Sequence, residues 1–229
     1  MLKVENRQGV RIVCLDRPPL NALTLECVTE LKLAMEAAGA ASDCASVVLT
    51  GANACFSGGI DIKLIPTYSP QQREATIVGI TGLVLACYAL DKPLVAALGG
   101  HTIGAGMILA LMADWRVAAR GDFRMGLTEA AAGLPFPAGA LEIVRAELSP
   151  ELGRRLAIGG AAHAMSDPMF TNIIDATVER GELLSVAEAQ ARRLAAMPGF
   201  SLVKAQYRRA TRARLAALLE RRDPLLDLA

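Results

Sequence analysis

The sequence predicts an α/β fold of short buried strands alternating with helices, and three observations carry that prediction. Apolar runs of strand length, Val10-Arg11-Ile12-Val13-Cys14-Leu15-Asp16, Ser46-Val47-Val48-Leu49-Thr50 and Leu94-Val95-Ala96-Ala97-Leu98, are separated by segments with apolar residues at helical spacing. Glycine-bearing turns, Phe56-Ser57-Gly58-Gly59-Ile60-Asp61 and Gly99-Gly100-His101-Thr102-Ile103-Gly104-Ala105-Gly106, follow the second and third of these runs. The chain, 229 residues at 53% hydrophobic content, is long enough to bury a large core in one domain, or in one domain with a helical extension. With only 4% aromatic residues, that core is built mainly from Ala, Leu, Val and Ile.

The first strand ends where Arg17-Pro18-Pro19-Leu20 forces a turn. Val28, Leu31, Leu33, Met35 and Ala38 then mark an amphipathic helix over 24–41 that leads into the strand at 46–50. The pattern recurs as a helix over 71–90, the strand at 94–98, a helix over 105–113 and a strand over 115–118. Such alternation predicts a layered α/β core with right-handed crossovers. No repeat of fixed period is visible. After Pro150 the composition turns to helix formers, over 151–158, 185–196 and 201–222, with one strand-like break at 172–178. The chain therefore divides into a core (1–150) and a C-terminal helical region (151–229). The last helix carries Arg208, Arg209, Arg212, Arg214, Arg221 and Arg222, which read as a solvated cationic face.

Charge narrows the function. The 24 basic and 23 acidic residues nearly cancel, which argues against nucleic-acid binding driven by phosphate neutralisation. Cys14, Cys27, Cys44, Cys55 and Cys87 show no C-x-x-C spacing and have no paired histidines nearby, so neither a disulfide framework nor a zinc site is expected. No stretch reaches the ~20 apolar residues a spanning helix needs. These features read together as a soluble, cytoplasmic protein with no membrane partner.

Both turns are suited to aim backbone N–H groups at a single carbonyl oxygen. Glycine allows positive φ and close approach, and a helix starting at the end of the second turn adds its positive end to an oxyanion site. Tight packing of strand against helix explains the same glycines without any ligand. The order of segments decides between the two. Asn21-Ala22-Leu23, then the first turn running on through Ile62-Lys63, then Lys92-Pro93-Leu94-Val95-Ala96-Ala97 entering the second turn, then Gly126-Leu127-Thr128-Glu129, together resemble the crotonase family of enoyl-CoA hydratases and isomerases over nearly the whole chain.

The resemblance implies a spiral of β-β-α units, a C-terminal region that covers the active site and builds trimers or paired trimers, and an acyl-CoA thioester substrate. It implies no metal and no separate cofactor, CoA being part of the substrate. Ile60 and Ala105 match the two positions whose backbone N–H groups hold the thioester oxygen. The family usually has a small residue where Ile60 stands, so its side chain is expected to point away from the thioester. Glu129 matches a catalytic glutamate, and its apolar flank Ala130-Ala131-Ala132-Gly133-Leu134-Pro135 suits a carboxyl with a raised pKa. Ser57, Gly58, Gly59, Asp61 and Ile108 are assigned to substrate binding.

Ile108 is the departure from the pattern. Hydratases of the family place a second glutamate there, in a Gly-x-Gly-x-Glu context, and an isoleucine can neither hold nor activate a water. Moving a double bond needs a single proton carrier. The motif pattern therefore points to a Δ3,Δ2-enoyl-CoA isomerase, with Thr128-Glu129 where the mitochondrial-type isomerases have Asn-Glu and with Pro135-Phe136-Pro137 as a looser likeness. The alternatives are a hydratase, decarboxylase or thioester hydrolase on the same scaffold, or a non-catalytic acyl-CoA binder. An Asp at the place of Asp61 is more often a helix N-cap; Lys63 reads as a solvated lysine more than as a partner of a CoA phosphate, His101 as structural or pocket-lining, and Asp114 as a structural hydrogen-bonding group.

Overall fold

A hairpin opens the chain. Strands β1 (Leu2–Arg7) and β2 (Val10–Leu15) pair antiparallel, and Gln8 and Gly9 between them both take positive φ, 50° and 80°, the type I′ geometry that matches strand twist. The computed structural model describes residues 1–221, 223 and 225. β1 does not stand out in the sequence because it is an edge strand exposed along nearly its whole length, so no apolar alternation betrays it. Thr24 caps α1 (Leu25–Ala40), its Oγ1 accepting from Cys27 N at 3.2 Å. Val28, Leu31, Met35 and Ala38 form the buried stripe of α1, whereas Leu33 stands exposed on the opposite face.

Three times the chain then lays a strand in one sheet, turns tightly, and lays a shorter strand in another. The pairs are β3 (Ser46–Gly51) with β4 (Cys55–Ser57), β5 (Leu94–Leu98) with β6 (His101–Ile103), and β7 (Trp115–Ala119) with β8 (Arg124–Gly126). Helices α2 (Pro70–Tyr88), α3 (Ala105–Leu111) and α4 (Ala138–Glu147) follow the three pairs in turn. The first strands extend β2 in parallel as β2-β3-β5-β7, and the second strands line up in parallel as β4-β6-β8. This is the β-β-α spiral the resemblance implies. The short strands lie inside segments that read from the sequence as turns or connections, which is why only the first strand of each pair was legible.

The chain continues as α5 (Pro150–Gly159), β9 (Ala162–Ala164), β10 (Ala176–Val178), α6 (Leu183–Ala195) and α7 (Phe200–Leu219). β10 joins β7 in parallel, β9 closes the smaller sheet antiparallel to β8, and α6 packs on β3, β5 and β7. Residues after 150 thus complete both sheets, and the core runs across that boundary. Only 176–178 of the strand-like break at 172–178 pair as a strand. Among the described residues no helix is long and apolar enough to cross a membrane.

α7 is not simply a solvated cationic helix. Arg209, Arg214 and Arg221 are exposed, and Arg222 lies outside the described residues, but Lys204 and Arg208 are buried. Both converge on Asp114, between α3 and β7. Lys204 Nζ reaches Asp114 Oδ2 at 2.7 Å and Lys92 O at 2.8 Å, and Arg208 Nη2 reaches Asp114 Oδ1 at 3.1 Å and Met112 O at 3.0 Å. Leu94 N also donates to Asp114 Oδ2, at 2.8 Å. Burial pulls the Lys204 pKa down to about 8 against the opposing pull of Asp114. Asp114→Ala leaves two buried cations facing each other and is expected to cost about 3–5 kcal/mol. Urea unfolding at neutral pH measures this; a loss below ~1 kcal/mol would show that water already screens the cluster.

Candidate active site

The first glycine turn is fixed by the segment before α1. Leu23 bridges Ile60 in parallel, with Leu23 N donating to Gly59 O at 2.8 Å and Asp61 N to Leu23 O at 3.0 Å. In a parallel bridge those bonds come from the neighbours of Ile60, so its own N–H points the other way. The second turn ends at Gly104, whose N donates to Gly126 O at 2.8 Å, and Ala105 is the first residue of α3. The N–H of a first helical residue has no partner within the helix. Among the described residues, neither the Ile60 nor the Ala105 N–H has a backbone acceptor.

The two turns touch through glycines. A Cβ on Gly59, which sits at φ +86°, would lie 2.9 Å from Ile103 O and 3.2 Å from Ala105 N, and one on Gly106 would lie 2.3 Å from Ser57 O. No side chain fits at either position, so the backbones of the two turns meet directly and bring both free amides to one place. That place is the wall of a cavity of about 450 Å³, which Ile60, Ala105, Ile108 and Glu129 all line. Its volume is that of a small-ligand site.

Glu129 follows β8 in a loop closed by Ala132 N donating to Thr128 O and Leu134 N to Glu129 O, at 3.0 and 2.9 Å. Its Oε1 lies 3.4 Å from where a Cβ on Gly104 would stand, against the second turn. Its Oε2 is buried and has no hydrogen-bond partner. Burial raises the Glu129 pKa above the ordinary carboxylate range, and the amides of Glu129 and Thr128 offset this only in part. Above the raised pKa the folded protein carries a buried charge at a cost, and below the unfolded-state pKa that cost vanishes. Glu129→Gln is therefore expected to raise the melting temperature at pH 8 by an amount that shrinks as pH falls. A gain constant with pH would mean that the carboxylate is well solvated.

Ile108, one helical turn beyond Ala105 and only 3% exposed, supplies an aliphatic surface to the same cavity. Ile60 lines the cavity, and it also packs against the core. Ser57, Gly58, Gly59 and Asp61 do not line the cavity and act from behind it. The Ser57 hydroxyl donates to Asn21 O at 2.9 Å and accepts from Gly59 N at 3.2 Å. Asp61 accepts from Lys63 N and Leu64 N at 3.2 Å each and pairs with Arg17 at 2.8 Å. Burial works against the Asp61 charge, but Arg17 and those amides outweigh it and hold the carboxyl below its ordinary value. Asp61 thus ties the next turn, as a cap does. His101 Nδ1 accepts from Arg124 N at 3.1 Å, with the ring edge-on to Phe123, and lies outside the cavity wall; Lys63 is exposed on its loop.

The far walls were not legible as such. α2 contributes Thr76, Ile77, Ile80, Leu83 and Val84, and the connection into α4 contributes Leu134, Pro135 and Pro137. From the region after 150, Leu225 lines the cavity among the described residues, beside the walls that α2 and α4 supply. A helix that packs on α1 along one side and on a cavity along another shows no single polar face, and 71–90 reads merely as a buried helix.

The site so built is a largely apolar pocket holding the Glu129 carboxyl, its Oε2 buried, beside two N–H groups that have no backbone acceptor among the described residues. The sequence of the chain matches the enoyl-CoA hydratase/isomerase family over residues 5–227. It is 34% identical over 200 residues to the probable enoyl-CoA hydratase EchA17 of Mycobacterium tuberculosis, spanning 86% of this chain and 76% of that protein. It is 26% identical over 215 residues to mouse mitochondrial enoyl-CoA delta isomerase 1, spanning 92% and 74%. The crystal structure of human mitochondrial Δ3,Δ2-enoyl-CoA isomerase superposes with a TM-score of 0.86 at 26% identity, covering 96% of this chain and 89% of that one. The chain belongs to the enoyl-CoA hydratase/isomerase, or crotonase, family of enzymes.

Proposed function

We propose that this enzyme moves the double bond of a 3-enoyl-CoA thioester to the 2-position, with Glu129 as the only proton carrier. The carboxylate takes a proton from C2. The electrons of the broken C–H bond pass into the thioester carbonyl, and the Ile60 and Ala105 N–H groups hold the oxygen of the resulting dienolate. Glu129 then returns the proton at C4, and the double bond comes to rest between C2 and C3. Ile108 and the apolar walls keep water from the intermediate. No cofactor beyond the CoA of the substrate takes part.

The observation that carries this reading is the pairing of Glu129, whose Oε2 is buried and unpartnered, with an aliphatic Ile108 where a hydratase needs its second acid. Two observations favour hydration instead: Glu74 lines the same cavity from α2, although it is exposed at the surface, and EchA17 is described as a probable hydratase. Steady-state assays with 3-enoyl-CoA and 2-enoyl-CoA separate the two. Isomerisation well above hydration is expected; dominant hydration, abolished by Glu74→Gln, would establish the second reading.

The same proposal takes the protein as a cytoplasmic homotrimer or dimer of trimers, supported by Leu202, Val203 and Tyr207, large apolar side chains that stand exposed along α7. Light scattering at micromolar concentration measures the assembly, and a monomeric mass would rule it out.

A further inference from the structure

The amides on either side of Ile60 are occupied. Gly58 N donates to Leu20 O at 2.7 Å, Gly59 N to Ser57 Oγ at 3.2 Å and Asp61 N to Leu23 O at 3.0 Å, which leaves Ile60 N–H alone toward the cavity. The acceptors Leu20 O and Leu23 O lie on either side of Asn21, and the third, Ser57 Oγ, is itself anchored on Asn21 O at 2.9 Å. Asn21 is 1% exposed and sits at φ +48°, a left-handed conformation that asparagine tolerates better than most residues. Its side-chain Nδ2 donates to Cys55 O at 2.7 Å and Ala52 O at 2.9 Å, with Phe56 O at 3.4 Å, and its Oδ1 accepts from Arg17 N at 3.0 Å. One side chain therefore grips the strand that leads into the turn, while its own backbone bend presents the acceptors that occupy the neighbouring amides.

We infer that Asn21 is the positioning residue of the Ile60 donor. It sets the direction of that N–H through the Leu20–Leu23 frame and the Ser57 hydroxyl, and so governs how strongly the thioester oxygen is held when charge develops on it. The inference rests on the oxyanion role proposed above. A donor misaimed by about an ångström loses most of its effect on the charged intermediate and little of its effect on ground-state binding.

The test uses Asn21→Gly, since glycine keeps the left-handed bend and removes only the side chain, and Ser57→Ala, a smaller change that survives if the first variant does not fold. Leu156→Ala on α5, a fully buried residue outside both turns, serves as a destabilising control. Each is read in two ways: kcat and KM for 3-enoyl-CoA, and the infrared thioester carbonyl band of bound octanoyl-CoA, which shifts to lower frequency as hydrogen bonds to the oxygen strengthen. The expected result is a kcat lower by ~10–100-fold for Asn21→Gly and ~10-fold for Ser57→Ala. KM stays within ~3-fold of the original, part of the carbonyl shift is lost, and both signals are preserved in Leu156→Ala. If both variants keep the shift and kcat of the unmodified protein, or if Leu156→Ala loses as much, the positioning role is overturned while the oxyanion reading stands. If the unmodified protein shows no carbonyl shift, the oxyanion reading itself falls and takes this inference with it.

Discussion

Glu129→Gln is expected to lower the conversion of 3-enoyl-CoA to 2-enoyl-CoA by ~10²–10⁴-fold while leaving acyl-CoA affinity within a few-fold, because the amide keeps the shape of the side chain and loses its ability to accept a proton. The magnitude follows from the absence of a substitute. Of the other charged residues on the cavity wall, Arg73 and Glu74 are both exposed on the first turns of α2, and no second buried carboxyl faces the cavity among the described residues. Elevation of the Glu129 pKa adds a pH signature. The base must be ionised to take the proton, so kcat should fall as pH drops through a value above the ordinary carboxylate range. Steady-state kinetics over a pH series on both proteins check this. A substituted enzyme with undiminished isomerisation would remove Glu129 from the mechanism.

The converse substitution asks whether the scaffold or the side chain selects the reaction. Ile108→Glu places a second carboxyl one helical turn from Ala105, facing the cavity that holds Glu129. Hydration of 2-enoyl-CoA should rise from its basal level, but by less than two independent acids would give, since like-charge repulsion raises one of the two pKa values.

How much of this was legible in the sequence depended on how much each element carries by itself. β3 and β5, largely apolar and buried runs in the middle of the larger sheet, could be placed within a residue because burial on both faces demands a near-continuous hydrophobic sequence. β1 could not, because an edge strand on the surface can use Lys3, Glu5 and Arg7 as freely as a loop does. β4, β6 and β8 are only three residues long, too short for periodicity, and exist because the neighbouring strand is already in place. The site divides in the same way. Ile60, Ala105, Ile108 and Glu129 sit in motifs whose order carried the resemblance, and all four meet at one cavity. Asn21 was visible as part of a motif, but its work was not, since its partners at Ala52, Cys55 and Phe56 are backbone carbonyls distant in sequence. Arg208 read as one more surface arginine because nothing near it in the chain announces Asp114.

Ala105→Pro tests the oxyanion role at the position where the fold should feel it least. Ala105 is the first residue of α3, so its N–H has no helical acceptor and its removal breaks no internal hydrogen bond. Proline is favoured at that position, with its fixed φ already suited to a first turn, and glycine at 104 has no Cβ to meet the ring. A substitution that would disrupt the middle of a helix is expected here to leave the melting temperature nearly unchanged. What it takes away, under the proposed mechanism, is one of the two donors to the developing oxyanion, and loss of one such donor costs on the order of 10²–10³ in kcat. Because the ring also occupies space in the cavity wall, affinity for octanoyl-CoA is measured alongside by calorimetry, which separates a lost donor from a blocked site. A folded Ala105→Pro enzyme that binds acyl-CoA and isomerises within ~3-fold of the unmodified rate would mean that the Ala105 amide does not hold the thioester oxygen.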